Sequence, residues 1–474
     1  MKLSAVWVMA ALVPAAAAQP ADLDAVIPSD QIRDAFSVSD WSIQRLNVPD
    51  AEPAPVDVDV ALDGVTRRLH LAPHSLRSTD FTVHVETSPG VFVTEAPPAP
   101  RTYRGYVEGM EDAAVAASIL DGRLYAVVDR GHGDVWAVQP LVDTFEHAPA
   151  DAHLVFHSSD LIAIDGVCGN EDLAEFVGGF PIENPGVLSA EFGTEIAADA
   201  DNLYYALNGR SIPNTVADVE NIINRVSVIY EATGEICYKI TEIIVRSSGD
   251  PPRYNSNDPQ TLLNSFQAEW NASHGGITRD TAHMFTGRDL NGNVIGIARG
   301  FNLICNIGSS YALSQARFTG NLLFRTGLVA HELGHLWGAQ HCDSFGNCRI
   351  MCSGIGGCTG ILDSFGPNST NSILNHRNTR TCLGRCGGES PVPCNWIKKL
   401  TGKCKGDTIK GKVILWTNEF NGATMFLEVD GKPEQVVISG KKGKYISFPF
   451  DPGRYLVEIV DPPDCGFSKN VSCN

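Results

Sequence analysis

Residues 331–341 read HELGHLWGAQH, with histidine at the first, fifth and eleventh positions. His331 and His335 stand four apart, so on a helix both imidazoles rise from one face and reach a single ion. Gly338 can take the left-handed conformation that ends a helix, after which the chain doubles back and brings in His341 as a third ligand. Three protein nitrogens leave a fourth position for water, the arrangement of a catalytic zinc. A structural zinc is closed by four Cys or His ligands. Glu332 lies beside the open position and off the metal. There it accepts a proton from water and later delivers it to a leaving amine. The chemistry implied is hydrolysis of a peptide bond by direct attack of water, with no covalent intermediate.

A long helix over 320–337 must carry this group, and the surrounding pattern predicts an α/β arrangement over about 191–385. Residues 215–233 have apolar side chains at helical spacing, predicting a long amphipathic helix. Residues 236–245 read as a strand, 261–271 as a helix and 282–285 as a strand. Residues 293–298 (NVIGIA) follow Asn291-Gly292, read as a hairpin turn into a further strand. Before this region, residues 19–187 hold short alternating runs at 56–62, 67–71, 81–86, 101–107, 114–120 and 122–128, a mostly β domain. After it, runs at 410–417, 424–429, 435–438, 444–448 and 454–459 suggest a small β-sandwich. The expected organisation is a leader at 1–18, a β domain at 19–187, the α/β unit at 188–388 and a C-terminal β module at 389–474. The Pro/Gly-rich stretch 178–186 is the expected linker.

Composition sets the compartment. An apolar, Ala-rich run from Leu3 to Ala18 follows Met1-Lys2 and ends on a small-x-small pattern, as in a cleaved signal peptide. It is too short to span a bilayer, which needs about 20 residues, so a secreted, extracellular product is expected. Thirteen cysteines fit export to an oxidising compartment. Twelve can pair; Cys168 stands apart from the others near the end of the first domain. The formal net charge of −19 argues against nucleic acid or an anionic membrane as partner of the whole chain. The imbalance is uneven: residues 389–474 carry a net +2, leaving −21 on residues 1–388.

The extended motif resembles the metzincin zinc metalloproteases, and its flanks resemble their adamalysin/reprolysin branch. His341 is followed by Cys342-Asp343, and residues 349–353 read RIMCS. In metzincins a methionine so placed forms a turn beneath the ligands, and the resemblance gives that role to Met351. Residues 283–300 (HMFTGRDLNGNVIGIARG) with Cys305, and 363–372 with Thr381-Cys382-Leu383, match the branch as well, so the resemblance covers about 191–386. It implies a twisted mixed sheet with a long zinc-binding helix. It also implies an edge strand beside the cleft, formed by Val294, Ile295, Gly296, Ile297 and Ala298, onto which an extended substrate peptide pairs. Residues 103–125 resemble the branch's propeptide. Calcium is not predicted: Asp289, Asn291 and Asn293 lack the glycine and distal glutamate of a calcium loop, and Arg385 stands where the branch often has asparagine.

A protease loaded with zinc before export must be restrained. Cys168 (GVCGN) precedes the α/β unit and its flanking glycines allow close approach to a metal. Its thiolate is a soft ligand able to take the fourth zinc position and leave with its segment. The reading is therefore a secreted zinc metalloendopeptidase made as a zymogen. It acts on protein or peptide substrates, with its own prodomain as intramolecular inhibitor. The alternative is a catalytically silent binding or adhesion protein on the same fold.

Overall fold

The computed structural model describes every residue except 1–26, 50–53, 132, 171–191, 250–253, 345–346, 359, 385, 387–391, 393, 407, 418–423, 431, 450–451, 462–464 and 474. The leader at 1–18, the linker at 178–186 and the 187/188 boundary lie outside the described residues. In chain order the first elements are α1 (Ser29–Phe36), β1 (Ser42–Arg45), β2 (Val56–Leu62), β3 (Val65–Pro73), β4 (Arg77–Ser88), β5 (Val91–Glu95), β6 (Thr102–Val107), β7 (Met110–Leu120), β8 (Arg123–Asp129), β9 (Val135–Pro140) and β10 (Ala152–His157). Then follow β11 (Val167–Cys168), β12 (Phe192–Ala200), α2 (Asn202–Leu207), α3 (Ile212–Gly234), β13 (Ile236–Arg246), α4 (Pro259–Ser273), β14 (Thr281–Thr286), β15 (Val294–Ala298), β16 (Tyr311–Gln315), α5 (Leu322–Leu336) and α6 (Pro367–Arg377). The chain ends in β17 (Ile397–Lys405), β18 (Thr408–Leu415), β19 (Thr424–Val429), β20 (Lys432–Ser439), β21 (Lys442–Pro449), β22 (Gly453–Asp461) and β23 (Ser468–Cys473).

Three sheets result. The first is antiparallel, in the order β1-β10-β9-β8-β7-β6-β3-β2. Strand β2 (VDVDVAL) shows why it forms: Val56, Val58, Val60 and Leu62 point into one core while Asp57 and Asp59 face water. The second sheet is mixed, in the order β11-β15-β16-β14-β12-β13-β4-β5. Strands β16, β14, β12, β13 and β4 run parallel, and β15 is antiparallel to β16. The third orders its strands β17-β18-β21-β20-β19-β22-β23, with Cys394–Cys465 and Cys404–Cys473 closing it.

Two expectations are corrected. The strand expected near 81–86 does not stay with its neighbours in the first sheet. Instead β4 and β5 form a hairpin that joins β13. Val83 and Val85 face the core under the mixed sheet, while Glu86 meets Arg246 of β13 at 2.6 Å with both side chains buried. Asn291-Gly292 is not a hairpin turn either. Strand β14, buried along its whole length, pairs with β12 and β16 on its two sides. The chain therefore crosses to the far side of β16 before β15 begins, and Gly292 takes φ 74° within that crossing.

Helix α5 sits at the centre, buried from end to end. Asn321 caps it by accepting from the N–H groups of Leu323 and Phe324. Residues of the N-terminal region complete that cap. Asn321 Nδ2 donates to the Phe36 carbonyl at 2.6 Å, and Gln139 accepts from Leu322 N while donating to the Gly320 carbonyl. No helix among the described residues is long and apolar enough to cross a membrane.

Candidate metal centre

His331 and His335 project from the same side of α5, one turn apart. Each ring is fixed through Nδ1: His331 to the Ile350 carbonyl at 2.7 Å, His335 to the Ala339 carbonyl at 2.8 Å. A carbonyl accepts only, so Nδ1 carries the proton and each Nε2 presents a lone pair. The Ala339 carbonyl reaches His335 because the chain reverses at Gly338, whose φ is +100°. A Cβ there would stand 3.0 Å from Asn302 Cγ, so both the conformation and the space require glycine. The reversal delivers His341.

The Nε2 atoms converge: His331 to His335 is 3.1 Å and His331 to His341 is 3.3 Å. Cys168 Sγ lies 3.4 Å from His335 Nε2, and the four ligand atoms all fall within 4.8 Å of one another. Lone pairs facing one another at such distances repel, and one cation between them removes the conflict. Nitrogens about 2.0–2.1 Å from a tetrahedral zinc stand about 3.3–3.4 Å apart, so the set fits that ion. Burial pushes His331 down to about 3, with His341 adding to the effect, and holds His335 well below the usual histidine range. Both are then neutral at ordinary pH, the form that ligates. The other clustered cysteines, Cys348, Cys352, Cys358, Cys305 and Cys382, are taken up in disulfides.

Met351 lies buried directly under the helix. A Cβ at Gly334 would stand 2.8 Å from Met351 Sδ and 3.0 Å from Phe365 Cε1, so glycine lets the turn approach the ligand-bearing backbone. The turn is held from both ends. Cys342–Cys348 and Cys352–Cys358 flank it, and the Asp343 carboxylate accepts from Ser353 N at 3.1 Å and Ser353 Oγ at 2.9 Å.

Glu332 is fully buried. Its Oε2 lies 3.6 Å from Cys168 Sγ, and Oε1 has no hydrogen-bond partner among the described residues. Burial raises its pKa well above the usual carboxylate range. Gly296 of β15 backs onto it: a Cβ at 296 would come within 2.8 Å of Glu332 Cδ and of Leu328 Cδ1.

Cys168 arrives on a strand threaded into the cleft. Val167 and Cys168 pair in parallel with β15 along its outer edge, the edge expected to receive a substrate. Gly169 N donates to the Gly296 carbonyl at 2.9 Å. On the other side Cys168 N donates to the Ser353 carbonyl, and Ile355 N donates to the Gly166 carbonyl, both at 2.9 Å. Asn170 then acts as a side-chain rung: Oδ1 accepts from Ala298 N at 2.7 Å and Nδ2 donates to the Ala298 carbonyl at 3.0 Å. Among the described residues Cys168 is the one cysteine outside a disulfide.

Residues 194–382 match the profile of metallo-peptidase family M12. The zinc metalloproteinase-disintegrin-like protein atragin of Naja atra is 26% identical over 309 residues, covering 59% of this chain and 47% of atragin. The corresponding protein BmMP of Bungarus multicinctus is 23% identical over 323 residues, 62% of this chain and 50% of its own. Residues 194–382 are a reprolysin-type metzincin domain. This reprolysin-type domain contains His331, Glu332, His335, His341 and Met351, while Cys168 comes from outside it. The chain spans about half the length of the curated relatives it matches. Metalloproteinase-II of Bacteroides fragilis overlays at TM-score 0.41 with 15% identity, covering 67% of this chain and 90% of that one.

Proposed function

We propose that this protein is a secreted, zinc-dependent metalloendopeptidase made as a zymogen. His331, His335 and His341 hold the catalytic ion, Glu332 is the general base, and Cys168 is the fourth ligand of the latent form. The observation that carries the proposal is the meeting of Cys168 Sγ with the three Nε2 atoms and Glu332 in one buried cluster. Zinc, when bound, lowers the pKa of water towards about 7 and polarises the scissile carbonyl.

The chain's own residues supply the rest. Glu332 takes the proton from the attacking water and passes it to the leaving amine. While Cys168 covers it, the carboxyl is sealed from water, so no water is in place for it to deprotonate. Withdrawal of residues 166–170 admits water to Glu332 and uncovers the backbone of β15 and of Ser353–Ile355. An extended peptide then pairs where residues 166–170 lay, so main-chain bonds hold it with little demand on side chains. The parallel pairing of Val167 and Cys168 with β15 supports their role as an occupant instead of a substrate. The cleft is filled by main chain whose thiol, and not a scissile bond, meets the site. The apolar run at 1–18 and the six disulfides support export.

The test is casein cleavage by the intact chain and by protein lacking residues 1–187, each with and without a zinc chelator. The processed form cuts and the chelator stops it. Glu332→Ala abolishes cutting while zinc content by atomic absorption is unchanged. Cys168→Ala lets the intact chain cut. A processed, zinc-loaded protein that cuts neither casein nor a peptide library would overturn the protease reading in favour of a binding protein on this fold.

A further inference from the structure

The C-terminal sheet carries a charge pattern that catalysis does not use. Along β17, alternate residues Lys399, Thr401, Lys403 and Lys405 share one face. The register sets Lys403 opposite Lys410 and Thr401 opposite Lys412 on β18, and Lys412 opposite Lys444 on β21, with Lys442 two positions along. Seven of the module's lysines therefore stand on one side of three neighbouring strands, exposed or half-exposed. Their partners in the alternation, Ile409, Val413, Gly443 and Tyr445, face the core. None of the three strands contains an aspartate or glutamate, and among the described residues none of the seven lysines forms an ion pair. One corner is braced by Lys398 Nζ, 4.4 Å over the Trp416 ring, and by Lys441 Nζ, which donates to the Trp416 carbonyl.

Uncompensated like charges packed this closely repel, and a sequence whose remaining 388 residues carry −21 had many acidic residues with which to neutralise them. Strand geometry roots these side chains about 7 Å apart along each strand and about 5 Å between strands, a regular array suited to a linear chain of repeated negative charge. Lysine provides mobile point charges, not the planar fork that grips one phosphate in a fixed orientation. The three strands hold no arginine, and the exposed Trp416 ring beside them, a surface on which a base could stack, already carries Lys398 over it. Ile446, 62% exposed, and Trp416, 55% exposed, are separate apolar side chains amid charges, whereas attachment to a membrane needs a contiguous apolar face.

We propose that the face formed by β17, β18 and β21 binds a linear acidic polysaccharide, sulfated or uronate-bearing. The module tethers the protein to such a polymer, and the centre on α5 acts independently of it.

The experiment uses the full chain. Retention on immobilised heparin and binding of polygalacturonate in solution are measured over a salt series, with neutral dextran, a 20-base-pair DNA duplex and phosphatidylcholine vesicles with and without phosphatidylglycerol as comparators. The acidic polysaccharides bind despite the net charge of −19, and affinity falls steeply with salt. K403Q/K412Q/K444Q weakens binding about tenfold or more and flattens the salt slope; K399Q/K442Q does the same more mildly. Lys469→Gln, on β23, leaves binding unchanged. Far-UV circular dichroism selects the folded variants, and two independent sets keep the test open if one misfolds. Failure of both polysaccharides to bind overturns the proposal. So does equal or tighter binding to the duplex or the anionic vesicles, or undiminished binding by a folded variant.

Discussion

Gly296 has no side chain, and Glu332 occupies the space where one would be. Gly296→Ala therefore pushes the carboxylate out of line without touching a ligand. With Glu332 as the proposed base, a displacement of an ångström removes much of its advantage, so kcat on a peptide substrate falls about 100-fold while bound zinc stays at one per molecule. Equal loss of zinc and activity would refute this separation. Gly334→Ala behaves differently, because the collision is with Met351 and Phe365 beneath the ligands: zinc content and thermal stability drop together. Asp280 offers a pH test away from the metal. Burial raises it from 3.8 to about 7, although it accepts from Glu195 N. The folded state thus prefers the protonated form, its contribution to stability is complete below about pH 4, and it is lost as pH rises through about 7. Urea unfolding of Asp280→Asn shows less of this decline. The three histidines and Glu332 were legible from spacing alone, because helical periodicity and a glycine break act within eleven residues. Gly296, Gly334, Asn170 and Asp343 were not legible as constrained positions. What constrains each is a group that folding alone brings near.

The elements divide in the same way. Alternation located β2, β7, β8, β13 and β19 within a few residues, since period-two patterning follows directly from a sheet with one wet face. It could not say which sheet a strand joins. Nothing local distinguishes β4 from β3; the choice depends on residues about 160 positions away. Arg246, fully buried, is clamped by Asp199 of β12 and Glu86 of β4, each at 2.6 Å. Arg77 of β4 meets Glu220 of α3 at 2.5 Å, also largely buried. Glu86→Gln leaves Arg246 paired with Asp199 and lowers the unfolding free energy of the intact chain, read from urea titration, by about 1.5–3 kcal/mol, whereas Asp59→Asn, at an exposed pair with Arg68, changes it by less than about 1 kcal/mol. Equal effects would mean that β4 is only loosely attached to β13.

At the scale of the whole molecule, the N-terminal region blocks the cleft with residues 166–170, yet most of its grip lies elsewhere. It lends β4 and β5 to the mixed sheet. It helps cap α5 through Phe36 and Gln139, and it supplies the Tyr103 and Ala117 carbonyls to which Asn224 of α3 donates. These contacts do not depend on an unbroken chain. A cut between residues 171 and 191 would change only their molecularity. On the zymogen proposal, inhibition then ceases to be a fixed property of each molecule and becomes a matter of mass action between two fragments. Nicked protein kept concentrated stays silent, and the same sample wakes on dilution, slowly, at the rate the fragments part. Added N-terminal fragment silences it again, so that how far the protein has spread after release would decide when it acts.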